Sequence, residues 1–209
     1  MSRAYAMALL LTLGCSAANA TEHCSYSSYR WNVTTRQAVD HQRIEKPRSA
    51  LTRAEYDAAT GCSVCEQDQT ELRLPGLVPF KVCKQLASRY RQLLLSLQKA
   101  GAPVRDVVGY RVGMTRGPTD AAGNRTGFSN HAFGIALDIN TDHNGLYDRC
   151  ERFGPHCRLL KGGPWNPRHP ASLTAASLIV QTFKQNGFRW GGEIAGQQKD
   201  FMHFSPSGY

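Results

Sequence analysis

Apolar residues recur at helical spacing most plainly between Lys81 and Ala100, where Val82, Leu86, Tyr90, Leu93, Leu94 and Leu97 share one face of a 3.6-residue repeat. Gly101 and Pro103 follow as a stop signal, so the pattern predicts a helix that ends there. A second stripe, Ala176, Ile179, Val180 and Phe183, predicts another helix, capped by Ser172 and ended by Gly187. Between them, residues 104–112 are rich in β-formers and residues 135–139 read as a further strand, whereas residues 115–130 are dense in Gly, Thr, Asn and Asp and read as a loop. Residues 140–170 read as a long polar excursion, and residues 188–190 and 201–205 as short strands. The stretch from Thr21 to about Gln69 is polar and weakly periodic, and is expected to be irregular apart from a short helix near residues 52–59. Strands and helices intermix without a βαβ rhythm. This pattern predicts an α+β fold: a single domain with a small antiparallel sheet flanked by helices.

The first residues change the picture. Arg3, the apolar run from Ala6 to Leu13 and the small residues Ala18-Asn19-Ala20 read as a secretory signal cleaved after Ala20. The run falls short of the roughly 20 apolar residues of a spanning helix, and no later stretch supplies them, so no transmembrane segment is expected. Thr12-Leu13-Gly14-Cys15 offers lipoprotein anchoring through Cys15 as a minor alternative. The expected division is residues 1–20 as signal peptide, 21–80 as a cysteine-bearing segment packed on the domain, and 81–209 as the functional domain. Beyond Ala20 remain Cys24, Cys62, Cys65, Cys83, Cys150 and Cys157, an even set that in an exported chain argues for a disulfide-stabilised fold. Of these only Cys150 and Cys157 are close enough in sequence to suggest a pair. Cys62-Ser-Val-Cys65 could also be half a zinc knuckle or a redox pair, but lacks the partners either needs. The formal charge of +9 is scattered instead of striped, which argues against a nucleic-acid partner.

The candidate chemistry lies in Ser129-Asn130-His131-Ala132-Phe133-Gly134-Ile135-Ala136-Leu137-Asp138 and, well downstream, Asp200-Phe201-Met202-His203. His131, Asp138 and His203 make a three-ligand set of imidazole nitrogen and carboxylate oxygen, which suits a catalytic zinc with one position left open. Asp200 supplies a second carboxylate, free to take the proton of an attacking water. On spacing alone the same residues could be ordinary polar positions at strand ends. Side chains three apart on a regular strand face opposite ways, so Asp200 and His203 converge only if the chain bends between them.

The pattern SxHxxGxAxD followed by DxMHF resembles the zinc D-alanyl-D-alanine carboxypeptidase and dipeptidase family, particularly its VanY-like members. The similarity runs from about Val107 to Phe204 and includes Trp190-Gly191-Gly192, which resembles the family's turn before its last ligand. The resemblance implies His131, Asp138 and His203 as zinc ligands, Asp200 as general base, and Arg111 as the cation that supports the carbonyl oxygen as it becomes an oxyanion. Arg116 and Arg125 lie in the same loop as rivals for that role. Asn130 stands where the family often has Glu, and Glu193 near where relatives often have Trp. Ser129 is a candidate to orient substrate or to bond the loop backbone. The implied activity is hydrolysis of peptidoglycan stem peptides in the cell envelope, with export to the periplasm as the matching expected location; D-alanyl-D-alanine carboxypeptidase is the leading expectation. An L,D- or D,D-endopeptidase of the wall and a non-catalytic zinc-containing wall-binding module are the alternatives. Oligomeric state is not legible.

A second constellation begins after Asp138. Counted from Asn140, oxygen-bearing Asn140, Asp142, Asn144, Asp148 and Glu151 fall at positions 1, 3, 5, 9 and 12, with Gly145 at 6, the layout of a calcium loop. A plain polar turn is the competing reading.

Overall fold

A computed structural model describes residues 22–208. The expected signal segment and Cys15 lie outside the described residues. The described residues begin with a long hairpin, β1 (His23–Asn32) and β2 (Gln37–Pro47), followed by the two-residue strands β3 (Tyr56–Asp57) and β4 (Cys62–Ser63). Next come β5 (Gln69–Leu72), β6 (Phe80–Cys83) and α1 (Lys84–Lys99). After α1 the elements are β7 (Val107–Val108), β8 (Met114–Thr119), β9 (Arg125–Phe128) and β10 (Leu137–Ile139). The chain ends with β11 (Leu146–Asp148), β12 (Arg158–Lys161), α2 (Leu178–Gln185), β13 (Arg189–Trp190), β14 (Gln198–Asp200) and β15 (His203–Ser205).

The strands form several small sheets, which with the two helices make an α+β arrangement. The sheet that matters most for the site is antiparallel throughout, in the order β13-β15-β10-β7. Its neighbours are the three-stranded sheet β12-β11-β14 and the four-stranded sheet β2-β1-β8-β9.

The two helical stripes behave as their periodicity requires. α1 buries Tyr90, Leu93, Leu94 and Leu97, and α2 buries Ile179, Val180 and Phe183. Leu94 is fully inaccessible, and removing such a side chain from water stabilises by about 2 kcal/mol. Tyr90 stacks on Phe188, Phe183 stacks on Phe204, and the Tyr90 hydroxyl donates to the Ile135 carbonyl at 2.8 Å. That bond ties α1 to the segment carrying His131 and Asp138.

Several expectations are corrected. The segment after Thr21 is the β1–β2 hairpin, paired from His23↔Pro47 to Asn32↔Gln37, and not an irregular stretch. Its second strand is mostly exposed and carries polar residues on both faces, so main-chain bonding shapes it without leaving an apolar period. The short helix near residues 52–59 is a single 3-10 turn, Arg53–Glu55, closed by a capping box between Thr52 and Glu55. Residues 115–130 form the β8–β9 hairpin, whose connection is held by Asp120 accepting from the backbone of Ala122 and Asn124. The strand expected over 104–112 shrinks to Val107–Val108, because Tyr110 and Arg111 donate their backbone N–H groups to Lys81 and His131. α2 starts at Leu178, since Ser172 and Leu173 are bonded to His143 and Asn144.

Cys150 pairs with Cys157, as proximity suggested, and the other disulfides are Cys24–Cys65 and Cys62–Cys83. Cys62 and Cys65 therefore serve separate bridges, which removes the knuckle and redox readings. Cys62–Cys83 spans 21 residues and Cys24–Cys65 spans 41, each worth roughly 3–4 kcal/mol of unfolded-state entropy. Together they staple the first hairpin to β4 and to the start of α1.

Candidate metal centre

Each residue of the first motif has a local task. Asn130–Phe133 form a 3-10 turn carrying His131, and Gly134 ends it with φ of 67°. A Cβ on Gly134 would collide with the Gln69 side chain and the Cys83 backbone, so glycine is required there on both counts. The chain then enters β10, where Asp138 lies directly opposite His203 of β15. Directly opposed residues of an antiparallel pair share a face, so this register sets the carboxylate beside the second histidine.

The three side chains converge in the interior, at 2–4% exposure, with one ligand atom from each lying within 4.8 Å of the others. His131 Nδ1 lies 2.8 Å from the Gly109 carbonyl oxygen, which can only accept, so Nδ1 bears the hydrogen and Nε2 keeps its lone pair. That lone pair faces Asp138 Oδ1 at 2.9 Å, and His203 Nδ1 approaches the same oxygen at 3.2 Å. Burial keeps His131 neutral by pushing it down to about 4. Burial also opposes ionisation of Asp138, but His131, His203 and Arg111 outweigh it and hold the carboxyl well below its usual range. A bare imidazole lone pair against an ionised oxygen is repulsive unless a cation lies between them. Ligand atoms on adjacent vertices of tetrahedral zinc sit roughly 3.3 Å apart, close to the separations seen here, so the donor set fits that ion.

Asp200 ends β14, opposite Leu146 of β11, and the chain turns through Phe201 and Met202 before His203 starts β15. The strand thus leaves one sheet and joins another within two residues. This turn supplies the bend that lets Asp200 and His203 serve one site. Asp200 is 5% exposed and its Oδ1 has no hydrogen-bond partner. Burial, reinforced by the Asp138 charge, raises its carboxyl to about 7. It stands outside the His131-Asp138-His203 group that could hold a metal.

Asp138, Asp200 and Arg111 line one cleft of about 460 Å³. Arg111 Nη2 donates to Asp138 Oδ2 at 2.9 Å, which fixes the guanidinium beside the ligand cluster. Of its rivals, Arg116 is turned to the Asn130 side chain at 3.2 Å, while Arg125 lines the cleft and donates to the Gly117 carbonyl. Asn130 otherwise holds the C-terminal turn through Ser205 and Gly208, and Glu193 pairs with Lys184. The Ser129 hydroxyl is buried without a partner and does not line the cleft, so neither expected role is seen. Trp165 packs against Phe201 at 4.1 Å, outside the cleft.

The calcium reading is corrected. Asn140 Oδ1 accepts from the Arg105 backbone at 2.8 Å, Asn144 Oδ1 accepts from that of Leu173 at 2.6 Å, and Asp148 is paired with Arg158. Both asparagines are fully buried, whereas Asp142 and Glu151 are exposed, and Asp142, Asp148 and Glu151 do not gather into a group able to hold an ion. The loop is a polar brace.

The structure also brings in residues that no motif announced: Tyr29, Trp31, Arg36, Arg158 and Lys161 line the same cleft. The two-residue spacing of Tyr29, Trp31 and Val33 is a strand signal that could have flagged the first two.

A buried His-Asp-His cluster with a separate buried carboxylate is the kind of centre found in metal-dependent hydrolases. A family model described as D-alanyl-D-alanine carboxypeptidase matches residues 122–206, the segment that holds His131, Asp138, Asp200 and His203, and so bears out the resemblance carried by the two motifs. No curated protein and no solved structure matches the chain. Among the described residues, no helix is long and apolar enough to cross a membrane.

Proposed function

We propose that the protein is a zinc-dependent peptidase that hydrolyses peptidoglycan stem peptides, acting as a D-alanyl-D-alanine carboxypeptidase. The observation that carries this reading is the shared Asp138 oxygen, approached by a neutral His131 lone pair and by His203, at the edge of a cleft that also exposes Asp200 and Arg111. His131, Asp138 and His203 would hold the ion. Zinc supplies Lewis acidity there, polarising the scissile carbonyl and making water a competent nucleophile at neutral pH.

The chain's own residues do the rest. Asp200, raised to about 7, accepts the proton of the attacking water at its unpartnered Oδ1 and returns it to the leaving amine. Arg111, fixed by Asp138, presents positive charge to the carbonyl oxygen as it becomes negative. The Gly109 carbonyl orients His131 through Nδ1 and fixes its tautomer. Export to the envelope belongs to the same proposal and is supported by the N-terminal pattern and the three disulfides.

Purified muropeptides incubated with zinc-loaded protein test the reading by mass spectrometry. Release of D-Ala by the wild type, slowed about 10²- to 10⁴-fold in Asp200→Ala with zinc content unchanged, is the expected result. Release of shorter peptides instead of D-Ala would make the enzyme an endopeptidase. A folded, zinc-loaded wild type that cuts nothing would overturn the proposal.

A further inference from the structure

The cleft has a second wall, built from residues that precede the segment matched by the family model. Tyr29 and Trp31 of β1 and Val33 of the turn that follows it all line the cleft. Arg36 of the hairpin turn and Ala38, the cross-strand partner of Trp31, line it too. The β1–β2 register breaks between Ser28 and Arg30, opposite Asp40 with its φ of 53°, and irregularities of this kind re-aim a strand's side chains. Tyr29 sits at the break, stacked on His41 and lying so close over Gly113 that a Cβ there would collide with its ring. The hairpin is therefore packed against the chain just beyond Arg111.

The charges of this cleft are unevenly answered. Arg111 is bound to Asp138, Arg158 to Asp148 and Arg125 to the Gly117 carbonyl. Arg36 and Lys161 have no ion pair or side-chain hydrogen bond among the described residues. Burial and then the nearby Arg111 charge lower the pKa of Lys161, against the pull of Asp138 and Asp200. Asp148 attracts Arg36, and Asp138 and Asp200 attract Lys161, at longer range, so a peptide carboxylate entering the cleft would meet two cations whose hydrogen-bond donors are not taken by a side chain, beside two aromatic side chains able to support the backbone next to it.

We propose that Arg36 and Lys161 form a carboxylate-binding subsite of this cleft, with Tyr29 and Trp31 as its platform, so that the N-terminal hairpin selects anionic peptides. The subsite rests on the peptidase reading above. The carboxylate can come from the peptide's C-terminus or from an acidic side chain near the scissile bond. Synthetic peptides that the wild type cleaves, with each of these groups either free or amidated, separate the two sources.

With the full zinc-loaded chain, amidation of the recognised carboxylate lowers kcat/KM about tenfold, the range of one charge-assisted hydrogen bond. Arg36→Gln and Lys161→Gln each cause a similar loss on the free acid and stay within about twofold of wild type on the amide. Equal effects on acid and amide, or none, overturn the subsite while leaving the peptidase intact. Calorimetric binding of the same peptides to zinc-loaded Asp200→Asn reads the subsite without turnover. A protein that binds acid and amide equally overturns it whatever the kinetics show.

Discussion

Two parts of this molecule are each organised around a buried carboxylate, and they treat it in opposite ways. In the disulfide-held N-terminal part, Glu55 is 5% exposed and answered on every side: by Lys46 at 2.6 Å, by the Thr52 hydroxyl and backbone at 2.7 and 2.9 Å, and by the Tyr26 hydroxyl. Burial opposes its ionisation, yet these donors outweigh it and hold the carboxyl down at about 2. In the cleft, Asp200 is equally buried but keeps one oxygen without a partner and is raised to about 7. A satisfied buried carboxylate holds structure together. An unsatisfied one is costly to folding and is kept where a proton must move near neutral pH.

The surroundings follow the same division. The N-terminal part has small apolar clusters gathered at its cysteines, with Cys24 and Cys65 in one and Cys62 and Cys83 in another. The His131-Asp138-His203 cluster rests on a larger core that joins both helices to β10, β13 and β15. Covalent bridges make up in the first region for the burial that the second obtains from packing.

The comparison can be broken most forcefully at Glu55. Glu55→Gln leaves the Lys46 ammonium half-buried without its partner and is expected to cost about 3 kcal/mol in urea unfolding with the disulfides intact. Its zinc content should stay at the wild-type level; loss of zinc would mean that the two regions are not energetically separate. The Glu55 contribution is present above its unfolded pKa and is lost as pH falls through about 2.

An effect of opposite sign is expected at Asp200. Its folded pKa of about 7 lies above the unfolded value of about 3.9, so between them the folded state holds the proton more tightly. In metal-free protein its contribution to stability is complete below about pH 4 and is lost as pH rises through about 7. Melting curves of metal-free Asp200→Asn should therefore overtake the wild type across that window, and parallel curves would exclude a raised pKa.

The smallest expected effect lies where the two regions meet. Tyr29 hydrogen-bonds the Arg111 guanidinium and helps stabilise its charge, so Tyr29→Phe should lower kcat/KM about tenfold, the lower end for a hydrogen bond to a charged group, with little change in melting temperature. An unchanged kcat/KM would place Tyr29 in the platform alone.

The residues proposed to hold a metal and to accept the proton were legible in the sequence because that chemistry needs particular residue types in a fixed local geometry. His131 must sit on a short turn, Gly134 must end that turn, and Asp138 must lie on the next strand. The α1 and α2 stripes were legible for a related reason: a helix compresses burial into a short repeat that one stretch of chain displays by itself. The limits of the other elements were set by partners far away in sequence. β2 exists because β1 lies beside it, and the strand over 104–112 stops at Val108 because Lys81 and His131 claim the next backbone donors.

Sequence by itself determined which atoms could bind a metal, since ligand chemistry is a property of side chains. Tertiary structure decided the rest, and decided it through long-range pairing. It turned the calcium-like run into a brace by directing Asn140 and Asn144 to distant backbone groups. It brought Asp200 and His203 together by moving the chain from one sheet to another at Phe201 and Met202. It also placed Tyr29, Trp31 and Arg36 in one cleft with Asp138 and Asp200, because a cleft wall is made by surfaces that meet only after folding.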